Sequence, residues 1–277
     1  MINLWYNDYY SPGVTRGPVK VIQNLIRSLD DCGISYSLNE ETYEHNFMVC
    51  WDVSKYNSLK NKKSLLIGPQ FWPWGFDFNQ LGEYSKIIVP SEWVSDLFKK
   101  YFPEVKTLVW PVAIYPPNIN NDIQFDCLVY YKNRSKEDLE KVLSYLDNKK
   151  ITYVGLEYGN YNQNEFKEVL GQVKYCVILD NTESQGIAIQ EMMALNKPLF
   201  VWDQIEWDYM GNDYIFPATS IPYWSVLCGK SVKTFIEFEK EFDEFLYNLD
   251  DYCPKDIIDK KLSPQKSIDI LIKHYSK

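Results

Sequence analysis

Two hydrophobic periods alternate along this chain, and the alternation runs twice. Short runs of consecutive apolar residues give way to segments whose apolar residues recur every three or four positions. The first pattern suits strands buried on both faces, and the second suits amphipathic helices. Ile2 to Tyr6 reads as a strand, followed by a loop holding Gly13 and Gly17. Val19, Ile22, Leu25, Ile26 and Leu29 then fall at helical spacing, with Pro18 in the first turn, where its missing N–H costs nothing. Gly33 closes this helix and 34–38 reads as the next strand, completing one βαβ unit. Strands are also expected at 47–53 and 64–68. Residues 85–103 read as a strand and then a helix capped at Ser91, with Trp93, Val94, Leu97, Phe98 and Tyr101 as its apolar stripe.

Residues 114–122, IYPPNINND, hold two prolines and three asparagines without periodicity, which marks a linker. The expected domains are 1–117 and 118–277, with the last helix, from Ser263-Pro264, able to pack back on the first. Beyond the linker the alternation restarts. Strands are expected at 125–131, 151–155, 174–179 and 198–202, and helices after Ser135, over 162–173 and over 187–196. Thr234 and Glu237 form a capping box ahead of Phe235, Phe238, Phe242 and Phe245. The fold class is therefore α/β, with two Rossmann-like, doubly wound domains.

Composition narrows the function. The 277 residues are enough for two modest domains, and the net charge of -9 comes with no basic run, which argues against nucleic acid as a partner. Six cysteines form no C-x-x-C pair and there are only two histidines, so no zinc site is expected. Cys50, Cys127 and Cys176 sit in apolar runs, where a thiol acts as a small hydrophobe. The start lacks a basic, apolar leader, and no run of about 20 apolar residues spans a membrane. The expectation is a cytoplasmic protein without a transmembrane segment.

Residues 176–202 carry the most chemistry. An apolar strand ends at Leu179, a polar loop leads to Gly186, and a helix that is apolar nearly all round follows. Ligands bind outside the C-terminal ends of such strands. A helix start offers unpaired N–H groups and the positive end of its dipole, which suits a diphosphate. Glu183 stands in the loop, and Glu191 lies between Gln190 and Met192 in the apolar helix. A carboxylate there needs donors, either ligand hydroxyls or a neighbouring loop.

The segment E183-SQGIAIQ-E191 followed by MMALNKPLFV resembles the Glu-x7-Glu signature of GT-B glycosyltransferases of the family-four type, E-x-F-G-x-x-x-x-E-A-M-A-x-G-x-P. Both glutamates, Gly186, Met193-Ala194 and Pro198 match, while Gln185 replaces the aromatic and Asn196 the glycine. More weakly, G13-VTR-G17-P18, VPSEWVSDLFKKYFP and TYVGLEYG are similar to other family segments in the same order. The resemblance implies two domains facing a cleft, in an unusually short chain. It implies transfer of a sugar from a nucleotide diphosphate sugar to a hydroxyl of a glycan or glycoconjugate, retaining and without a metal or other cofactor. Glu183 would meet the donor sugar and Glu191 the ribose. The backbone of Ser184, Gln185, Gly186 and Ile187 would take the diphosphate or sugar. Gly155 would lie near the base, and Gly13, Arg16 and Gly17 would form the N-terminal donor loop. The family's basic pair maps onto YKNRSK, giving Lys132 and Arg134 as the catalytic cations, with Lys136 a further candidate. A solvated helix start is the alternative for these residues.

Two other readings stay open: an epimerase or phosphorylase on the same fold, and a silent nucleotide-sugar-binding module. The family's N-domain histidine has only His45 to match it, in a YEHN context that reads as a surface loop. Residues 215–230, rich in hydroxyls and rings, read either as a cover over the ligand or as a structural connection.

Overall fold

A computed structural model describes residues 1–6, 17–49, 53–62, 64–69, 78, 81–209 and 214–275. The chain divides into two compact units, Met1–Ile114 with Lys261–Lys277, and Tyr115–Lys260.

In the first unit the elements are β1 (Ile2–Trp5), α1 (Gly17–Asp31), β2 (Tyr36–Leu38), β3 (His45–Val49), α2 (Val53–Leu59), β4 (Ser64–Gly68), β5 (Ser85–Val89), α3 (Glu92–Tyr101) and β6 (Thr107–Val109). The strands form one parallel sheet in the order β2-β1-β3-β4-β5-β6. Its inner strands β1, β3 and β4 are buried on both faces, as continuous apolar runs require, while the edge strands β2 and β6 are not. Ser91 sits at the N-cap of α3 as expected, but its side chain makes no capping bond.

The second unit contains β7 (Phe125–Lys132), α4 (Lys136–Asn148), β8 (Tyr153–Glu157), α5 (Gln163–Gln172), β9 (Val173–Asp180), α6 (Ile187–Ala194), β10 (Leu199–Trp202), β11 (Glu206–Tyr209), β12 (Tyr214–Pro217), β13 (Gly229–Val232), α7 (Phe235–Tyr247) and α8 (Lys255–Lys261). Its parallel sheet runs β13-β10-β9-β7-β8. Ser135 caps α4 through Asp138 N–H, and Thr234 with Glu237 forms the expected capping box. Phe238, Phe242 and Phe245 of α7 are buried, and all three rings meet Phe200. Each such aromatic pair contributes about 0.5–1.5 kcal/mol beyond its buried area.

The final helix, α9 (Pro264–Tyr275), joins the first unit. Trp110 Nε1–H donates to the Ser267 carbonyl at 2.9 Å, and Ser267 Oγ donates to the Pro111 carbonyl at 3.0 Å. Asn24 donates to the Ala113 carbonyl and Ile114 N–H to the Leu262 carbonyl, so the chain is tied down on both sides of the excursion into the second unit.

Two local expectations change. His45 is not in a surface loop: it begins β3, pairs in register with Ser64, and sets its ring edge-on to Tyr275 at 5.4 Å. That is the N-terminal end of the strand, opposite the end where parallel sheets bind ligands. The polar YEHN letters concealed a strand whose apolar residues begin one position later. The stretch after β10 also holds a hairpin, β11–β12, pairing Glu206 with Pro217 and Trp207 with Phe216. In the sequence, the letters Gly-Asn-Asp between two aromatic runs are the signal for such a pair.

Gly229 is a packing requirement of the second sheet. Its φ is +137°, and a Cβ there would stand 1.9 Å from the Leu199 carbonyl oxygen of the neighbouring strand. Gly229→Ala is expected to cost about 2–3 kcal/mol through overpacking and backbone strain. Urea denaturation measures it, and a loss below about 0.5 kcal/mol, ordinary for a surface site, refutes it.

Candidate functional site

The second sheet reverses its strand order at β7, whose neighbours are β8 on one side and β9 on the other. Open parallel sheets bind ligands outside the carboxyl ends of the strands at this switch point. Lys132 ends β7, Asp180 ends β9, and the two are register partners. The loop after β9 carries Glu183 and leads into α6.

Lys132 Nζ donates to Glu183 Oε1 at 2.5 Å and lies 3.8 Å from Asp180 Oδ2. The Tyr158 ring, just past β8, sits with its centroid 4.6 Å from the same ammonium. Burial opposes the Lys132 charge, but Glu183 and Asp180 outweigh it and hold the pKa above the lysine range. Burial first, and then the Glu183 charge, push the Asp180 carboxyl well above the usual carboxylate range, against the pull of Lys132. Glu183, at the shorter distance, is the charge that pairs with Lys132.

Gly186 N-caps α6 in the left-handed conformation, φ 84° and ψ 46°, which favours glycine. A Cβ there would lie 3.5 Å from the Glu183 side chain, so the backbone also turns tightly around the glutamate. Gln185, in place of the family's aromatic, is buried and exchanges hydrogen bonds with Gln190: Gln185 Nε2 donates to Gln190 Oε1 at 3.1 Å, and Gln190 Nε2 donates to the Gln185 carbonyl at 2.5 Å. This amide pair locks the turn to the first helical turn, leaving the Gln185 side chain a supporting part. Ser184 and Ile187 flank it, half-buried. Glu191 is buried within α6 and acts electrostatically on Tyr161, whose hydroxyl donates to Tyr130 at 3.3 Å.

The loop is held from behind by Asp203, at the end of β10. Its buried carboxylate accepts from Ser220 N–H at 2.7 Å, Ser220 Oγ at 2.8 Å, Thr219 Oγ1 at 2.7 Å and Lys233 Nζ at 2.7 Å. The Thr219 carbonyl in turn accepts Glu183 N–H at 3.1 Å. The hydroxyls of residues 219–220 thus serve a structural connection.

Arg134 points elsewhere than Lys132. Its side chain is almost fully covered. Nε donates to Asp138 at 3.1 Å, one Nη donates to the Trp202 carbonyl at 3.0 Å, and the guanidinium lies 4.6 Å from the Trp202 ring. It clamps the end of β7 to β10. Lys136 and Gly155 line a groove of about 310 Å³ between α4 and the edge strand β8, with Tyr131, Leu139, Leu143 and Tyr153. Gly17 opens α1 with open space at its Cβ position. Gly13 and Arg16 lie outside the described residues. Cys127 and Cys176 are buried, and burial pushes the Cys127 thiol up to about 12. Among the described residues, no cluster of three or more His, Cys, Asp or Glu has metal-binding geometry, and no helix is long and apolar enough to cross a membrane.

Asp180, Tyr158, Tyr161, Asp203 and Lys233 had no sequence motif to mark them. The strand end expected at Leu179 stops one residue short of Asp180.

No protein-family model matches the chain, and no curated protein matches its sequence. Solved structures do match its fold. Sucrose-phosphate synthase from Thermosynechococcus elongatus superposes with a TM-score of 0.59 at 9% identity, over 99% of this chain and 98% of that one. The lipopolysaccharide outer core galactosyltransferase WaaB, apo form, gives 0.58 at 10% identity, over 99% of each chain. AviGT4, a glycosyltransferase involved in avilamycin A biosynthesis, gives 0.56 at 9% identity, over 99% and 96%. At these identities the likeness is one of fold, two Rossmann-like units as expected from the sequence, and it runs along nearly the whole of each chain.

Proposed function

We propose that the chain is a glycosyltransferase that takes a nucleotide diphosphate sugar as donor and a hydroxyl of a glycan or glycoconjugate as acceptor. The observation that carries this reading is the switch point of the second sheet. There one half-buried ammonium, Lys132, a glutamate paired with it, and the start of a buried helix converge. The bond between the anomeric carbon and the diphosphate oxygen breaks, the acceptor oxygen bonds to that carbon, and the acceptor's hydroxyl proton passes to the departing diphosphate. The departing diphosphate gains charge, which Lys132 and the first-turn N–H groups of α6 are suited to stabilise. Glu183 accepts from sugar hydroxyls once the donor draws Lys132 away, and Glu191 accepts from the ribose. Arg134 supports Lys132 by fixing the end of β7. On this reading the positive charge comes from the protein, no metal is required, and the protein works in the cytoplasm. Retention of configuration rests on the resemblance of the Glu183–Glu191 segment.

A thermal-shift panel of nucleoside diphosphates and nucleotide sugars tests the reading, with and without EDTA. A ligand at 100 times its Kd stabilises by about 2.7 kcal/mol. One nucleotide series is expected to raise the midpoint, unaffected by EDTA, and Glu191→Ala is expected to abolish the shift. If no nucleotide shifts the wild type, the donor site is refuted. If a nucleotide sugar binds but is neither transferred nor hydrolysed, the silent binding module takes its place.

A further inference from the structure

Asp180 has no part in the transfer as set out above, yet it is fully buried at the centre of the cluster. Its Oδ1 accepts Asn181 N–H at 2.6 Å, while Oδ2 has no hydrogen-bond partner. A buried carboxylate oxygen without a donor is costly, whereas a protonated carboxyl brings its own donor. The groups that face it are Glu183 from the loop and Lys132 and Tyr130 from β7. Tyr158 lies over Lys132, and Tyr161 feels the charges of both Lys132 and Glu191. Lys132, the cation of this group, is committed to Glu183 at 2.5 Å and stands 3.8 Å from Asp180. Two adjacent carboxyls with one ammonium between them do not both ionise readily.

We propose that Asp180 is a positioning residue that stays neutral at physiological pH and donates its carboxyl O–H to Glu183, fixing that carboxylate where it meets the donor. The proposal rests on the transferase reading for its consequence, but the proton itself is measurable without any ligand. With Asp180 neutral, the charges of Lys132 and Glu183 cancel. Among the described residues, ionising Asp180 adds a negative charge beside Glu183, which disfavours an incoming diphosphate. The linkage has a definite sign. A carboxyl whose folded pKa lies above its ordinary value of 3.8 lends stability that is fully present below that value. That stability is lost as pH rises through the folded pKa. Asp180→Asn, which keeps a neutral donor, removes this slope.

Infrared spectroscopy of the whole chain at neutral pH tests the proton. The C=O band of a buried carboxylic acid is expected in the wild type, absent in Asp180→Asn, and shifted in Glu183→Gln. A wild type without the band, or a band that Glu183→Gln leaves unmoved, overturns the proposal. Titrations with uridine, guanosine, adenosine and cytidine diphosphates test the positioning. Asp180→Asn is expected to bind within about twofold of wild type, and Asp180→Leu about tenfold more weakly, the worth of one hydrogen bond to a charged group. Should Asp180→Leu not fold, the pH profile replaces it: wild-type affinity falls as pH rises while that of Asp180→Asn holds. Equal affinities in Asp180→Leu and wild type, or matching pH profiles in Asp180→Asn and wild type, overturn the positioning role. If none of the four nucleotides binds the wild type, the transferase reading fails, while the infrared band still decides the Asp180–Glu183 hydrogen bond.

Discussion

Lys132→Ala is expected to lower sugar transfer by about 100- to 1,000-fold, the usual effect of removing one donor aimed at developing charge. The side chain ends β7 at the switch point, and among the described residues no other cation pairs with Glu183 in the structure. The same substitution removes the Lys132 ammonium from beside Glu183 and the buried Asp180. Removing one member of a buried pair costs about 3–5 kcal/mol, so the variant is also expected to unfold at lower urea concentration. Lys132→Arg restores charge without the geometry of a single compact ammonium, and is expected to recover stability more than rate. Steady-state rates with the donor identified by thermal shift, together with urea curves, measure both effects. A rate within tenfold of wild type removes Lys132 from the mechanism.

Asp203→Ala is expected to destabilise the chain by about 3–5 kcal/mol, although this residue has no contact with the proposed ligand positions. Its carboxylate is the common acceptor for Ser220 N–H, two hydroxyls and Lys233. Ser220 is completely buried, so its donors find no water when the carboxylate is gone. Because the Thr219 carbonyl holds Glu183 N–H, the loosened segment is expected to weaken donor binding as well. Asp203→Asn keeps one acceptor oxygen and should fall between alanine and wild type. Lys233 is partly exposed, so its share of the loss is the smallest and the most screened by salt. Urea denaturation gives the ranking, and a loss under about 1 kcal/mol for alanine, the median effect of any substitution, contradicts it.

Much of the fold is legible in the sequence because both sheets are parallel and their inner strands are buried on both faces. Such strands read as continuous apolar runs, and the helices between them as stripes at helical spacing. The capping residues Ser135 and Thr234 are legible for the same reason: their bonds reach only three residues along the chain. The candidate site is legible where it is local. Glu183, Gly186 and Glu191 lie within nine consecutive residues, and their strand–loop–helix setting follows from period and polarity. His45 reads as a loop, and the β11–β12 hairpin leaves no reading at 206–209, because a polar strand start and an antiparallel pair carry weaker patterns than a buried parallel strand.

What the sequence by itself determined is the alternation of elements, the position of the helix that begins after Gly186, and the pairing of glutamates around it. These depend on backbone preference and burial over a few neighbouring residues. Only the tertiary structure decided that Lys132 rather than Arg134 meets Glu183, that Asp180 is enclosed between them, and that Asp203 anchors the loop. Lys132 and Glu183 are 51 positions apart and Lys233 and Asp203 are 30 apart. Lys132 and Arg134 differ by only two positions, so composition and spacing treat them alike. The chain turns between them at the end of β7, sending one cation into the carboxylate cluster and the other onto the Trp202 ring. Which charge faces which is set by strand order in the sheet, and strand order is a property of long-range pairing.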